Sequence, residues 1–119
     1  MTDRSALIVE DNVDIAVFIG VVLGQIGFVT QSAKDGQEAL DALDDAAPDL
    51  VVLDLNIPRI SGVEVLRHIR AGAQFAATKV VVVSANPHMI DESYDLADLV
   101  LQKPFNYKQL HDLVERLFK

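Results

Sequence analysis

Glu10 and Asp11 follow the run Ala6-Leu7-Ile8-Val9, Asp54 follows Leu50-Val51-Val52-Leu53, Ser84 follows Val80-Val81-Val82-Val83, and Lys103 comes just beyond Leu99-Val100-Leu101. Carboxylates gathered at one place repel one another, so they either raise a pKa or hold a hard cation. Mg²⁺ suits such a set, because it takes oxygen ligands and a few carboxylates and leaves room for phosphate oxygens. A carboxylate can also attack phosphorus and form an acyl phosphate. It needs no general base, since carboxylates are ordinarily ionised near neutral pH. Phosphoryl transfer then requires positioning and neutralisation of the equatorial oxygens, which a cation, the Lys103 ammonium and the Ser84 hydroxyl would supply. Each residue alone has an ordinary explanation. An aspartate after a strand commonly caps a turn or helix, and Asp11 could begin the first helix, favoured by its dipole. Ser84 could be a strand-end hydroxyl and Lys103 a solvated lysine. The set at four strand ends is what points to chemistry.

The elements that would bring these residues together are readable from periodicity. The four runs are apolar at every position and rich in β-branched residues, as strands covered on both faces of a parallel sheet are. Phe28 to Ser32 is a fifth, mixed stretch that suits a sheet edge. Ile15, Phe18, Ile19, Val22, Leu23 and Ile26 recur with helical spacing, and Gly27 stands where a helix stops. Further helical patterns cover Gly36 to Leu43, Val63 to Arg70 from a start near Ser61, and Leu110, Leu113, Val114 and Leu117 at the end. A weaker helix is expected from about Pro87 to Leu96, with Asn86 as its cap. Alternating strands and helices with short connections give right-handed crossovers and a parallel sheet between helix layers. The expected fold is α/β, a doubly wound five-stranded parallel sheet of order 2-1-3-4-5. Its ligands sit beyond the carboxyl ends of the strands.

The chain has 119 residues, half of them apolar, which is one domain over 1–119 with a core of its own. With no cysteine, disulfides, thiol catalysis and Cys-ligated zinc are excluded. The net charge of −8 is spread along the chain, so nucleic acid is not an expected partner. No signal peptide pattern or membrane-length apolar stretch is present, and a cytoplasmic location is the expectation. His68, His88 and His111 lack metal-ligand spacing and read as surface or boundary residues.

The segments Leu7-Ile8-Val9-Glu10-Asp11-Asn12, Leu53-Asp54-Leu55-Asn56-Ile57-Pro58, Ser61-Gly62, Ser84-Ala85 and Lys103-Pro104-Phe105, in this order and spacing, resemble the receiver domain of two-component response regulators over the whole chain. The resemblance implies a flavodoxin-like (βα)5 fold and a role as a phosphorylation switch rather than a turnover enzyme. By that likeness Asp54 is the phosphoacceptor, Asp11 a direct Mg²⁺ ligand, Glu10 a ligand through water, and the backbone carbonyl of Asn56 completes the shell. Ser84 matches the hydroxyl that moves to the phosphoryl group and Lys103 the lysine that pairs with it. The Lys103-Pro104 bond is expected to be cis, and Gly62 to serve the turn beside the site. Two departures stand out. Val100 occupies the position, three before the lysine, where the family usually has an aromatic residue. The stretch from Ser84 to Lys103 is also short.

On the first helix, Ala16, Val17, Gly20, Val21 and Gly24 are small or apolar where charge is ordinary. With Ile15 they are expected to form a docking surface for a helical partner, which by resemblance is a histidine kinase or histidine phosphotransfer protein. The last helix and fifth strand, with Tyr107, Lys108, His111, Asp112, Glu115 and Lys119, match the family's output and dimerisation face. A monomer or weak dimer is expected, with no output domain in this chain. It is either a receiver that signals by protein contacts or passes the phosphoryl group onward, or one excised from a larger hybrid kinase or regulator. Three other functions fit less well. An aspartyl-nucleophile phosphatase needs an acid–base carboxylate where Asn56 stands, and a flavodoxin-like cofactor binder needs a phosphate-cradling loop where Glu10-Asp11 stand. The third, an unphosphorylated interaction module, leaves the acceptor set without a use.

Overall fold

In the computed structural model, residues 3–85 and 95–119 are described. The strands are β1 (Arg4–Val9), β2 (Phe28–Ala33), β3 (Leu50–Asp54), β4 (Lys79–Ser84) and β5 (Leu99–Gln102). The helices are α1 (Val13–Ile26), α2 (Gly36–Asp45), α3 (Gly62–Ala71) and α4 (Tyr107–Leu117), with a short 3-10 turn at Ala73–Phe75. The helix expected from about Pro87 to Leu96 falls largely outside the described residues, as does His88.

All pairings are parallel, in the order β2-β1-β3-β4-β5, which is the order expected from the sequence. Side chains alternate across each strand, so one apolar sheet feeds two cores. Leu7, Val9, Leu53, Val80 and Val82 pack with α2 and α3, where Leu43, Leu66 and Ile69 are buried. Ile8, Val52, Val81 and Val83 pack with α1 and α4, where Ile19, Leu23 and Leu110 are buried. Central β3 is buried throughout. The mixed stretch expected at an edge is β2, with four exposed residues between two buried ones. β5, expected to be covered on both faces, is instead half-buried at Leu99, Val100 and Leu101, because it is the other edge strand.

The helices start and stop at residues suited to the task. Asn12, Asp35, Ser61 and Asn106 each accept a hydrogen bond from the backbone three residues on, satisfying a donor the helix leaves free. Gly27 ends α1 at φ 116°, a left-handed conformation that glycine adopts without a Cβ penalty.

Candidate functional site

Asn12, and not Asp11, caps α1: its Oδ1 accepts from the Ile15 N–H at 3.1 Å. Asp11 is therefore not consumed by the helix and stays exposed beside the carboxyl end of β1. Glu10 is carried one residue past β1, where its own N–H donates to the Ala33 carbonyl at 3.0 Å. Asp54 is the last residue of β3, and Val83 lies beside it on β4. Glu10, Asp11 and Asp54 each present a carboxylate oxygen, all within 4.8 Å of one another, and could hold a metal ion. Glu10 and Asp54 are buried while Asp11 faces solvent, which gives the cluster one open side. Oxygen-only donors with two or three carboxylates and access to water fit Mg²⁺ by their chemistry.

Lys103 closes the cluster. Its Nζ donates to Glu10 Oε1 at 2.6 Å and to Asp54 Oδ2 at 2.8 Å. The other oxygens are also engaged, Glu10 Oε2 by the Asn12 N–H at 3.2 Å and Asp54 Oδ1 by the Asn56 N–H at 2.9 Å. The Lys103-Pro104 peptide bond is cis, as expected, and the Lys103 N–H donates to the Ser84 carbonyl at 3.0 Å. Ser84 ends β4 fully buried, one residue beyond Val83. The expected residues Glu10, Asp11, Asp54, Ser84 and Lys103 thus meet at one end of the sheet, with exposed Asn56 in the loop after β3. The expected reason for Gly62 differs. Gly62 has no positive φ, and what it supplies is space: a Cβ there would lie 2.4 Å from Leu55 Cα.

Burial pushes the Glu10 carboxyl up to about 7, helped by the Asp54 charge and opposed by the hydrogen bonds from Lys103 and Asn12. Burial also works against the Lys103 charge, but its hydrogen bonds to Asp54 and Glu10 prevail and raise its pKa above the ordinary 10.5. A pH dependence follows for the metal-free protein. Between pH 4.5 and about 7 the folded chain keeps the Glu10 proton that the unfolded chain has released. Stability therefore falls as pH rises through that window, by up to roughly 3 kcal/mol. Urea denaturation in a chelator across this range should show the slope, and Glu10→Gln should flatten it. An unchanged slope in the variant would assign the pH dependence elsewhere.

The α1 face differs in detail from its expected composition. Val17, Val21 and Gly24 are exposed, whereas Ile15 and Ala16 pack against the core. Gly20 is only half-exposed, and its missing Cβ would point toward Ile8 and Thr30. Among the described residues the most exposed large hydrophobic side chain is Val13, at 73 %, which the core-directed periodicity gave no reason to single out. Beside this face, Asp14, Ile15 and Phe18 of α1 and Lys103, Pro104 and Phe105 line a groove of about 230 Å³ that reaches the site lysine. Of the expected surface histidines, His68 is exposed, and His111 on α4 pairs with Glu115 at 3.0 Å. No helix among the described residues is long and apolar enough to cross a membrane.

Comparison with known proteins gives a consistent picture. Residues 6–115 match the family model of the response regulator receiver domain. Sporulation initiation phosphotransferase F of Bacillus subtilis is 31% identical over 117 residues, 98% of this chain and 94% of that protein. The DNA-binding response regulator MtrA of Mycobacterium tuberculosis is 36% identical over 107 residues, 87% of this chain but only 46% of that protein. This chain thus spans about half of that regulator's length. Among solved structures, the chemotaxis response regulator CheY4 of Vibrio cholerae superposes with a TM-score of 0.89 at 28% identity, covering 98% of this chain and 99% of that one. The response regulator TrrA of Thermotoga maritima, in complex with Mg²⁺-BeF, gives 0.84 at 31% identity, covering 96% and 98%.

Proposed function

This chain belongs to the response regulator receiver family, and we propose that its 1–119 span is a receiver domain that takes a phosphoryl group from a phosphohistidine protein onto Asp54. The observation that carries the reading is the surround of the Asp54 carboxylate, with the Lys103 ammonium at 2.8 Å, the Asn56 N–H at 2.9 Å and two further carboxylates alongside. An Asp54 oxygen forms the new O–P bond as the P–N bond of the donor breaks. That electron pair returns to the ring nitrogen, and an imidazole protonated at its other nitrogen leaves neutral. Lys103 pairs with an equatorial phosphoryl oxygen, and the Ser84 hydroxyl turns to donate to another. Asp11, Asp54 and the Asn56 carbonyl would hold Mg²⁺, with Glu10 acting through water, and the ion when bound would neutralise charge developing on the phosphoryl oxygens. A relative described in complex with Mg²⁺-BeF supports this use of the acidic set.

The phosphodonor would dock on α1, where the exposed stripe Val13, Val17 and Val21 leads to the groove beside Lys103. Such a stripe, uncharged and contiguous, suits an apolar helical partner. The phosphoryl group then shifts the balance between two conformations and changes partner affinity.

Incubation with acetyl phosphate, followed by intact mass, tests the chemistry. A phosphate adduct that requires Mg²⁺ and is absent in Asp54→Asn is the expected result. An adduct that persists in Asp54→Asn would move the acceptor to another residue.

A further inference from the structure

The apolar side chains of β5 carry almost no information about their register against β4. Leu99, Val100 and Leu101 lie beside Val81, Val82 and Val83. Register is normally fixed because a slip of one residue turns buried apolar side chains out to solvent. Across these three pairs a slip exchanges leucine for valine against a row of valines, on an edge strand half-buried at all three positions, and the fourth residue, Gln102, is exposed and little constrained by burial. Yet Lys103 sits at the end of this strand with its ammonium 2.6 and 2.8 Å from two carboxylates. A one-residue slip would carry it about 3.3 Å along the strand and turn it to the other face. Both contacts would break.

The information lies in polar groups at the strand's start. The Asp98 N–H donates to the Val80 carbonyl at 2.9 Å, and Asp98 Oδ2 accepts from the Val80 N–H at 2.7 Å. Arg70, in the last turn of α3, donates through Nη2 to that same oxygen at 2.7 Å. Its Nη1 reaches the Thr78 carbonyl at 3.0 Å and its Nε the Leu96 carbonyl at 2.6 Å. One rigid guanidinium fork thereby ties the chain leading into β5 to the chain leading into β4, and its fixed donor directions fit one alignment only. Both side chains of the Arg70–Asp98 pair are about three-quarters buried, at 25% and 26% exposure, so solvent screens the pair less than an open surface pair.

We propose that Arg70 and Asp98 form the register lock of β5 and act as positioning residues for the Lys103 ammonium, a role that rests on Lys103 serving the phosphoryl chemistry above. Arg70→Leu tests this, with Asp98→Asn as the milder variant should the first fail to fold. Amide exchange at Lys103, whose N–H is bonded to the Ser84 carbonyl, should accelerate at least about tenfold, while the amides of β3 keep their protection. Phosphorylation by acetyl phosphate at saturating Mg²⁺ should slow about 100-fold, the order of loss that misplacement near 1 Å brings, while Mg²⁺ affinity holds or rises because the displaced ammonium no longer competes for Glu10 and Asp54. Added to Lys103→Met, the Arg70 change should slow phosphorylation no further, a dependence that a general loss of stability would not give. Arg70→Lys, charged but without the fork, should recover only part of the rate. A lowered melting temperature with native exchange at Lys103 and a native rate would overturn the lock. If the native chain takes up no phosphate at all, the exchange measurement still decides the lock by itself, so the two readings fail separately.

Discussion

Lys103→Met should slow phosphorylation of the chain by acetyl phosphate roughly 100- to 1,000-fold at saturating Mg²⁺, the scale of losing one preorganised electrostatic contact to a developing charge. The ammonium is already in place before any phosphoryl group arrives, bonded to Glu10 and Asp54. Because those bonds raise its pKa, it is charged throughout the ordinary working range. Mg²⁺ affinity should hold or rise, since the variant removes a competing positive charge from the same carboxylates. The metal-free variant should also be less stable, because two buried acids lose their shared counter-charge, and added Mg²⁺ should restore part of the difference. The decisive pair of measurements is the adduct time course and a Mg²⁺ titration. Native kinetics with native metal affinity would remove Lys103 from the phosphoryl contacts.

Gly62→Ala should lower stability by roughly 2–3 kcal/mol net in urea denaturation, the range of an overpacked interior. Helix propensity alone predicts the opposite sign, since alanine is favoured over glycine by about 1 kcal/mol inside a helix. The steric conflict decides. A Cβ at Gly62 would fall 2.4 Å from Leu55 Cα and 2.6 Å from the Asp54 carbonyl oxygen. These are backbone atoms at the end of β3, so relief requires moving Asp54, the proposed acceptor, itself. The variant should therefore lose Mg²⁺ affinity and phosphorylation rate beyond what its stability explains. Gly36→Ala is the control, because its Cβ would meet the Ile60 carbonyl oxygen at 2.0 Å, in the loop between β3 and α3. It should destabilise while disturbing Asp54 less. A stabilised Gly62→Ala protein would mean that the β3 end yields easily and that the glycine answers only to the helix.

The strand order and the convergence of Glu10, Asp11, Asp54, Ser84 and Lys103 could be read from the chain because both depend on local signals. Continuous apolar runs mark covered strands, alternation with helices fixes the parallel topology, and a parallel sheet places its functional side chains at one end. What could not be read depends on distances between segments. Asn12 and Asp11 are both good helix starters, and only the bond from Asn12 Oδ1 to the Ile15 N–H shows which of them is free for the site. Gly62 stands in a turn-like context, yet its constraint comes from Leu55 packed against it. Arg70 falls within a helical pattern next to Ile69 and gives no sequence hint of the Leu96, Thr78 and Asp98 oxygens it gathers. The outer face of α1 was visible as missing charge, but Val13 emerged only once the helix had been placed against the sheet.

That outer face sits apart from everything that holds the molecule together. Val13, Val17 and Val21 are 73 %, 60 % and 53 % exposed, while the inward positions Ile19, Val22 and Leu23 of the same helix are fully buried. Inherited changes at the three valines can accumulate, revert or be exchanged between duplicated copies without a folding penalty, because surface substitutions seldom cost more than about half a kcal/mol. On the docking proposed above, a lineage carrying many such chains would insulate one signalling channel from the next by drift and selection at these positions, leaving the acidic cluster and the lysine untouched.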